Sequence, residues 1–137
     1  TFEETMGMFE AKQVDLTKIV GESPLDEGTA AGRGFAVSGG VAQAVVDCIH
    51  KKYPDREVKV QSAQGLRDCY KMLLLAKAGK YDGYLLEGMA CPGGCVAGAG
   101  TLQPLTKATS MVLAYKGQAD KKTAEDSLYR KQADHLD

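Results

Sequence analysis

Charge of one sign is not in surplus in this chain: 17 lysines and arginines face 18 aspartates and glutamates. So even a balance leaves no basic face for nucleic acid or an anionic membrane, and neither is expected as a partner. Long apolar runs are lacking too. The longest, Met72-Leu73-Leu74-Leu75-Ala76, falls far short of the roughly 20 residues that cross a bilayer. The first residues are polar and acidic, so no secretory leader is read there, and a soluble, cytoplasmic protein is expected. Histidine is scarce. His50 reads as solvent-facing near the end of a helix and His135 falls in a tail, so neither sits naturally beside a cysteine. C-x-x-C is absent, which excludes a thioredoxin-like redox pair and the usual zinc knuckle.

There are four cysteines, Cys48, Cys69, Cys91 and Cys95, in 137 residues. That length suits one domain, 1–137, with a core of its own and no need of disulfide staples; the part from about 118 on is the least defined. Cys48 and Cys69 lie in helix-like patterns with apolar neighbours, and both are expected to be buried, unlinked, metal-free thiols on sheet-facing sides. The chain starts with Thr1 rather than Met, and a processed subunit or a piece of a longer protein is expected.

Thr1-Phe2-Glu3-Glu4 is a capping-box pattern and predicts a helix to about Lys12. The stretch from Val20 to Val37 is rich in Gly, Ser, Pro and Asp and reads as irregular loop with at most a short helical turn. Ser38-Gly39-Gly40 opens a helix on which Val41, Ala44, Val45, Cys48, Ile49 and Lys52 recur at helical spacing, and Tyr53-Pro54 ends it. Glu57-Val58-Lys59-Val60-Gln61 alternates as a strand does. A helix over about 64–78 follows, with Leu66, Cys69, Tyr70, Leu73 and Leu74 on one face, and Gly79 stops it. Tyr84-Leu85-Leu86-Glu87 is the next strand. A last helix runs from Gln103 or Pro104 to Lys116, ahead of a polar, charged tail.

Strand, helix, strand is a βαβ unit with parallel strands and a right-handed crossover. The fold class is therefore α/β: a small parallel sheet with flanking helices. In such sheets ligands bind beyond the C-terminal ends of the strands. The segment at that place is Gly88-Met89-Ala90-Cys91-Pro92-Gly93-Gly94-Cys95. From Gly88 to Gly100 there are five glycines and two cysteines. Glycine carries an entropic penalty, so such density asks for a reason. One reason is close approach of the backbone to a large rigid group such as a cysteine-held iron–sulfur cluster. A plain glycine-rich turn with two ordinary small residues, and a zinc site with further ligands, stay open on spacing alone.

Leu86-Glu87-Gly88-Met89-Ala90-Cys91-Pro92-Gly93-Gly94-Cys95 resembles the third signature of the iron-only (FeFe) hydrogenases. In that signature Glu, any residue, Met-Ala-Cys, two residues and Gly-Cys precede a glycine run and Gln-Pro. Phe35-Ala36-Val37-Ser38-Gly39-Gly40-Val41 is similar to the family's Phe-x-x-[Ser/Thr]-Gly-Gly-Val stretch. Thr1-Phe2-Glu3-Glu4 resembles the point where the family chain resumes after its second signature. The likeness covers nearly the whole chain and weakens beyond about Tyr115. One departure is plain: the usual Gly-Gly-Gly-Gln-Pro end stands here as Gly98-Ala99-Gly100-Thr101-Leu102-Gln103-Pro104, with two residues added.

The resemblance implies one lobe, the C-terminal one, of a hydrogenase catalytic domain that makes or splits dihydrogen. Its cofactors would be a 4Fe-4S cluster and a diiron subcluster in the full-length protein, with none held by this chain alone. Cys91 would bind the 4Fe-4S cluster only, and Cys95 would bridge it to the diiron unit. Met89 matches the methionine that packs on the diiron unit, although a core methionine after a strand reads equally well. Gly93, Gly94, Ser38 and Gly39 would belong to the cofactor-binding surface. The family's first two signatures, which supply the remaining cluster cysteines and the proton-donating one, have no counterpart in this sequence. The implied partners are the remainder of the catalytic domain and an electron carrier such as ferredoxin or an NAD-linked subunit. An iron–sulfur assembly or redox-sensing relative without hydrogenase activity is the alternative.

Overall fold

The computed structural model describes residues 1–21 and 27–133. Helix α1 (Phe2–Ala11) leads through a 3-10 turn at Leu16–Lys18 to a one-turn helix α2 (Ala30–Arg33) and then α3 (Gly40–Lys52). Strand β1 (Lys59–Gln64), helix α4 (Leu66–Lys77) and strand β2 (Tyr84–Met89) form the βαβ unit. A 3-10 turn at Cys95–Ala97, helix α5 (Leu105–Gly117), a 3-10 turn at Ala124–Asp126 and α6 (Arg130–Ala133) complete it. The fold is α/β. β1 and β2 pair in parallel from Lys59 opposite Tyr84 to Gln64 opposite Met89.

The helix starts follow local chemistry. The Thr1 hydroxyl accepts from the Glu4 amide while the Glu4 carboxylate reaches back, so the capping box read from the sequence is present. Pro104 is the N-cap of α5, where a missing amide hydrogen is no loss. α3 is different. Its N-cap is Gly39, at φ 87°, which has no side chain to offer.

Three expectations move. β1 runs three residues further than the alternating pattern, through Ser62-Ala63-Gln64, because ladder bonds to β2 hold backbone of any side-chain type. Gln64 therefore ends a strand, and α4 begins at Leu66 after Gly65 turns the chain at φ 84°. The face of α4 expected to be buried is outside: Leu66, Tyr70, Leu73 and Leu74 are exposed, and Met72 is the buried residue, with Cys69 half-buried beside it. On α3 the buried positions are Ala42, Ala44 and Val46, with Val45 exposed. On α4 the unbranched Met72 goes inward, and on α3 two alanines do so together with Val46.

The polar tail folds back. The Ala30 and Ala31 amides donate to the carbonyls of Lys121 and Lys122, at 2.8 and 3.0 Å, and Ala119 is 1% exposed. Lys51 of α3 pairs with Asp126 at 2.6 Å and Lys52 with Glu125 at 3.6 Å. Charge complementarity between distant segments, which leaves no periodic pattern, docks this stretch. Val20–Val37 is irregular apart from α2, as read, with 22–26 outside the described residues; so is His135. His50 is exposed. No described helix is long and apolar enough to cross a membrane.

Candidate metal centre at the end of the second strand

β2 ends at Met89, and the cysteine loop begins two residues later. The loop is tied down on three sides. From β1, the Gln64 side-chain carbonyl accepts from the Gly93 amide at 2.7 Å. From the segment before α3, the Ser38 amide donates to the Gly93 carbonyl at 3.0 Å, and the Ala36 carbonyl accepts from Val96 at 3.1 Å. From α1, the Glu3 amide donates to the Gly100 carbonyl at 3.2 Å. Within the loop, Gly94 bonds back to the Cys91 carbonyl and Gly98 to that of Cys95, both at 3.0 Å.

The glycines explain how these pieces fit. A Cβ on Gly94, which sits at φ 99°, would lie 2.6 Å from the Ala36 carbonyl oxygen and 2.7 Å from the Ser38 nitrogen. One on Gly93, at φ 92°, would strike the Leu105 side chain, and one on Gly100, at φ 79°, would strike Thr1. Gly40 meets the Gly34 carbonyl so closely that a Cβ would stand 2.0 Å from its oxygen. The close approaches at 93, 94 and 100 are thus made to the chain itself. A Cβ on Gly98 would stand 3.2 Å from the Cys95 carbonyl oxygen and 3.8 Å from the Cys91 sulfur.

Cys91 is half-buried and Cys95 exposed, and neither is in a disulfide. Cys95 opens onto an apolar cleft of about 530 Å³ lined by Phe2, Val96, Leu102, Met111 and Val112. Met89 is half-buried; its carbonyl accepts from the Gly65 amide at 2.8 Å and lies 3.6 Å from the Cys69 sulfur. Cys69 faces the sheet, packed on Gly88, as expected, but is half-buried rather than buried. Cys48 is only half-buried, beside Phe35 and Tyr53. Ser38 and Gly39 stand next to the loop, but their amides are already used, by Gly93 and by Glu87.

Glu87 belongs to the matched signature, but motif reading gave it no role. It is 7% exposed, and its two carboxylate oxygens accept from the Gly39 amide at 2.7 Å and the Ala42 amide at 3.0 Å. A carboxylate from β2 thus caps α3, filling the role its glycine N-cap leaves open. A signal existed: a glutamate in a strand between apolar neighbours needs a partner when buried.

Two cysteines projecting from one anchored loop suit an iron–sulfur group, which binds cysteines as thiolates. Among the described residues no third Cys, His, Asp or Glu joins them in a metal-holding group. The pair therefore fits half of a cubane's ligand set and is too small for a closed zinc site.

No curated protein matches this chain. A family model, iron only hydrogenase large subunit, C-terminal domain, matches residues 1–99, from the α1 capping box through both cysteines. The match stops inside the glycine run, where the sequence departs from the usual signature. Since these residues make up most of the chain and carry the anchored cysteine loop, the chain belongs to the family formed by the C-terminal domain of the iron-only hydrogenase large subunit.

Proposed function

We propose that the chain is the C-terminal lobe of an FeFe-hydrogenase catalytic domain, whose complete form interconverts dihydrogen with protons and electrons. The observation that supports this most is the placement of Cys91 and Cys95 on a tied loop at the C-terminal end of a parallel strand, within the matched residues. In this reading Cys91 and Cys95 would supply two of the thiolates that hold a 4Fe-4S cluster, with Cys95 also serving as a ligand of the diiron unit. The bound group supplies the redox chemistry and the site of hydrogen activation. The chain's own part is to hold two sulfurs at a fixed spacing and to shield them. Half-buried Cys91 rests against Gly98, and the cleft beside Cys95 offers an apolar wall from Phe2, Met111 and Val112. Met89 would pack on the diiron unit, while Ser38, Gly93 and Gly94 hold the loop's shape and Gly39 anchors the adjoining segment through Glu87.

The partners in this reading are the remainder of the catalytic domain, which brings the other cluster cysteines and the proton donor, and a ferredoxin-like or NAD-linked electron carrier. The chain alone offers two of four thiolates, so it holds no persistent cluster. The test is anaerobic reconstitution with iron and sulfide, followed by a preformed diiron carbonyl–cyanide complex, with the chain alone and together with the remainder of the catalytic domain. Iron content, 4Fe-4S absorption and hydrogen evolution from a reduced dye are measured. The chain alone is expected to bind no stoichiometric iron, and the combination to gain a cluster that is lost in Cys91→Ser and Cys95→Ser. A stable cluster on the monomeric chain would overturn the half-site reading. A cluster in the combination without hydrogen evolution would favour the assembly or sensing relative, to which the altered glycine run, Gly98 to Pro104, gives some support.

A further inference from the structure

Glu87 is a buried acid that makes no ion pair among the described residues. Both oxygens are instead spent on backbone amides at the start of one helix. An aspartate or serine at the N-cap would satisfy the Ala42 amide locally, without a carboxylate from another element. The position is glycine because the chain there adopts φ 87° and the next residue is pressed against the Gly34 carbonyl. The cap has therefore been moved to a residue 48 positions away, on the strand that feeds the cysteine loop.

The segment whose end Glu87 grips is the same one that holds the loop. Ser38 donates to Gly93, Ala36 accepts from Val96, and Gly94 is buried against the backbone of residues 36–38. A closed circuit results. It runs from Glu87 to the first turn of α3, through residues 36–38 to the loop, and back along the chain from Cys91 to Glu87. We infer that Glu87 is a positioning residue for the cysteine loop: by capping α3 it fixes the 36–38 ledge against which Cys91 and Cys95 are held. The consequence for cluster binding rests on the proposed function, whereas the positioning itself is a property of this chain and is tested without iron.

The probe is thiol labelling of the native chain, with each cysteine quantified by peptide mass spectrometry, alongside amide hydrogen exchange. Hydrogen bonds to a charged acceptor are among the stronger ones, so losing two should raise local opening on the order of tenfold. In Glu87→Ala, labelling of half-buried Cys91 should rise by about that factor, while exposed Cys95 changes little, with faster exchange at Gly39, Ala42 and Val96. Cys48, more than two turns beyond the capped end of α3, and Cys69, on α4, should accelerate far less than Cys91. Glu87→Gln keeps the volume and one carbonyl acceptor and should fall between, giving partial rescue. Gln64→Ala, which cuts the tie from β1, should speed exchange at Gly93 but leave Gly39 and Ala42 protected. Equal acceleration at Cys48, Cys69 and Cys91 would make Glu87 a general stability residue and overturn the proposal. So would unchanged labelling of Cys91 in Glu87→Ala, or a Gln variant identical to the parent. If the Ala variant does not fold, the Gln variant carries the test through the same ratio of Cys91 to the helix cysteines. Failure here leaves the reconstitution result standing, and the converse holds too.

Discussion

Two regions of this molecule use their residues in opposite ways. At the corner where residues 34–42 meet 87–98, side chains are small, backbone meets backbone, and the buried acid has its donors. Across the sheet, α4 turns its large side chains outward: Leu66 is 74% exposed, Tyr70 64% and Leu73 58%. Among the described residues no large side chain is fully buried, and the core is mostly alanine with Met72, Val46 and Val96. The corner is complete within the chain. The outer face of α4 has the apolar content of a buried surface, and among the described residues nothing covers it.

The comparison breaks most sharply at Gly94. Gly94→Ala puts a methyl group into the Ala36 carbonyl and the Ser38 amide at a backbone conformation that only glycine tolerates. Backbone strain and clash together should remove about 3–5 kcal/mol in urea unfolding, a large share of what a domain this size has. A loss below about 1 kcal/mol would show that the corner yields and is not the rigid partner in the contrast.

Glu87→Ala comes next. Two buried amides lose their acceptor, and the expected loss is about 2–3 kcal/mol by the same measurement. On the other side, serine at Leu66, Tyr70 and Leu73 together should alter unfolding by no more than about 0.5 kcal/mol per site, because these side chains contribute little to the fold of the chain alone. Their effect should fall on association. Sedimentation velocity is expected to show weaker self-association than the parent, and a parent that is monomeric at all concentrations would count against an uncovered face.

The smallest effect is electrostatic. The Lys51 ammonium, with the Thr123 amide and hydroxyl, holds the Asp126 carboxyl well below the usual carboxylate range. A carboxyl lowered in the folded state stabilises above its unfolded pKa, and that contribution fades as pH falls from about 4 towards the folded value. Asp126→Asn should lower the thermal midpoint slightly at pH 7, and the difference should shrink steadily below about pH 4. The pair is partly open to solvent, so salt should reduce the effect as well.

Much of the fold was legible because its signals are local. The Thr1 capping box, the Pro104 start of α5 and the βαβ order each depend on residues within a turn or a strand of one another. The cysteine loop was legible by composition and placed correctly at the end of a parallel strand. The faces of α3 and α4 were not, since periodicity shows that an apolar stripe exists but not which neighbour it meets. Leu66 and Tyr70 form as good a stripe as Met72 and Cys69, and the sheet's close backbone decides between them.

By itself, then, the sequence determined the order of elements, the parallel pairing implied by one crossover, and the chemistry of two thiols on a glycine loop. Each of these follows from nearest-neighbour sterics, hydrogen-bonding capacity or residue type. Tertiary structure alone decided what the glycines are for. The contacts that need them pair Gly94 with Ala36, Gly40 with Gly34 and Gly100 with Thr1, and the Glu87 cap spans 48 residues. A contact between segments so far apart is set by where the whole chain packs, and no local pattern carries that information.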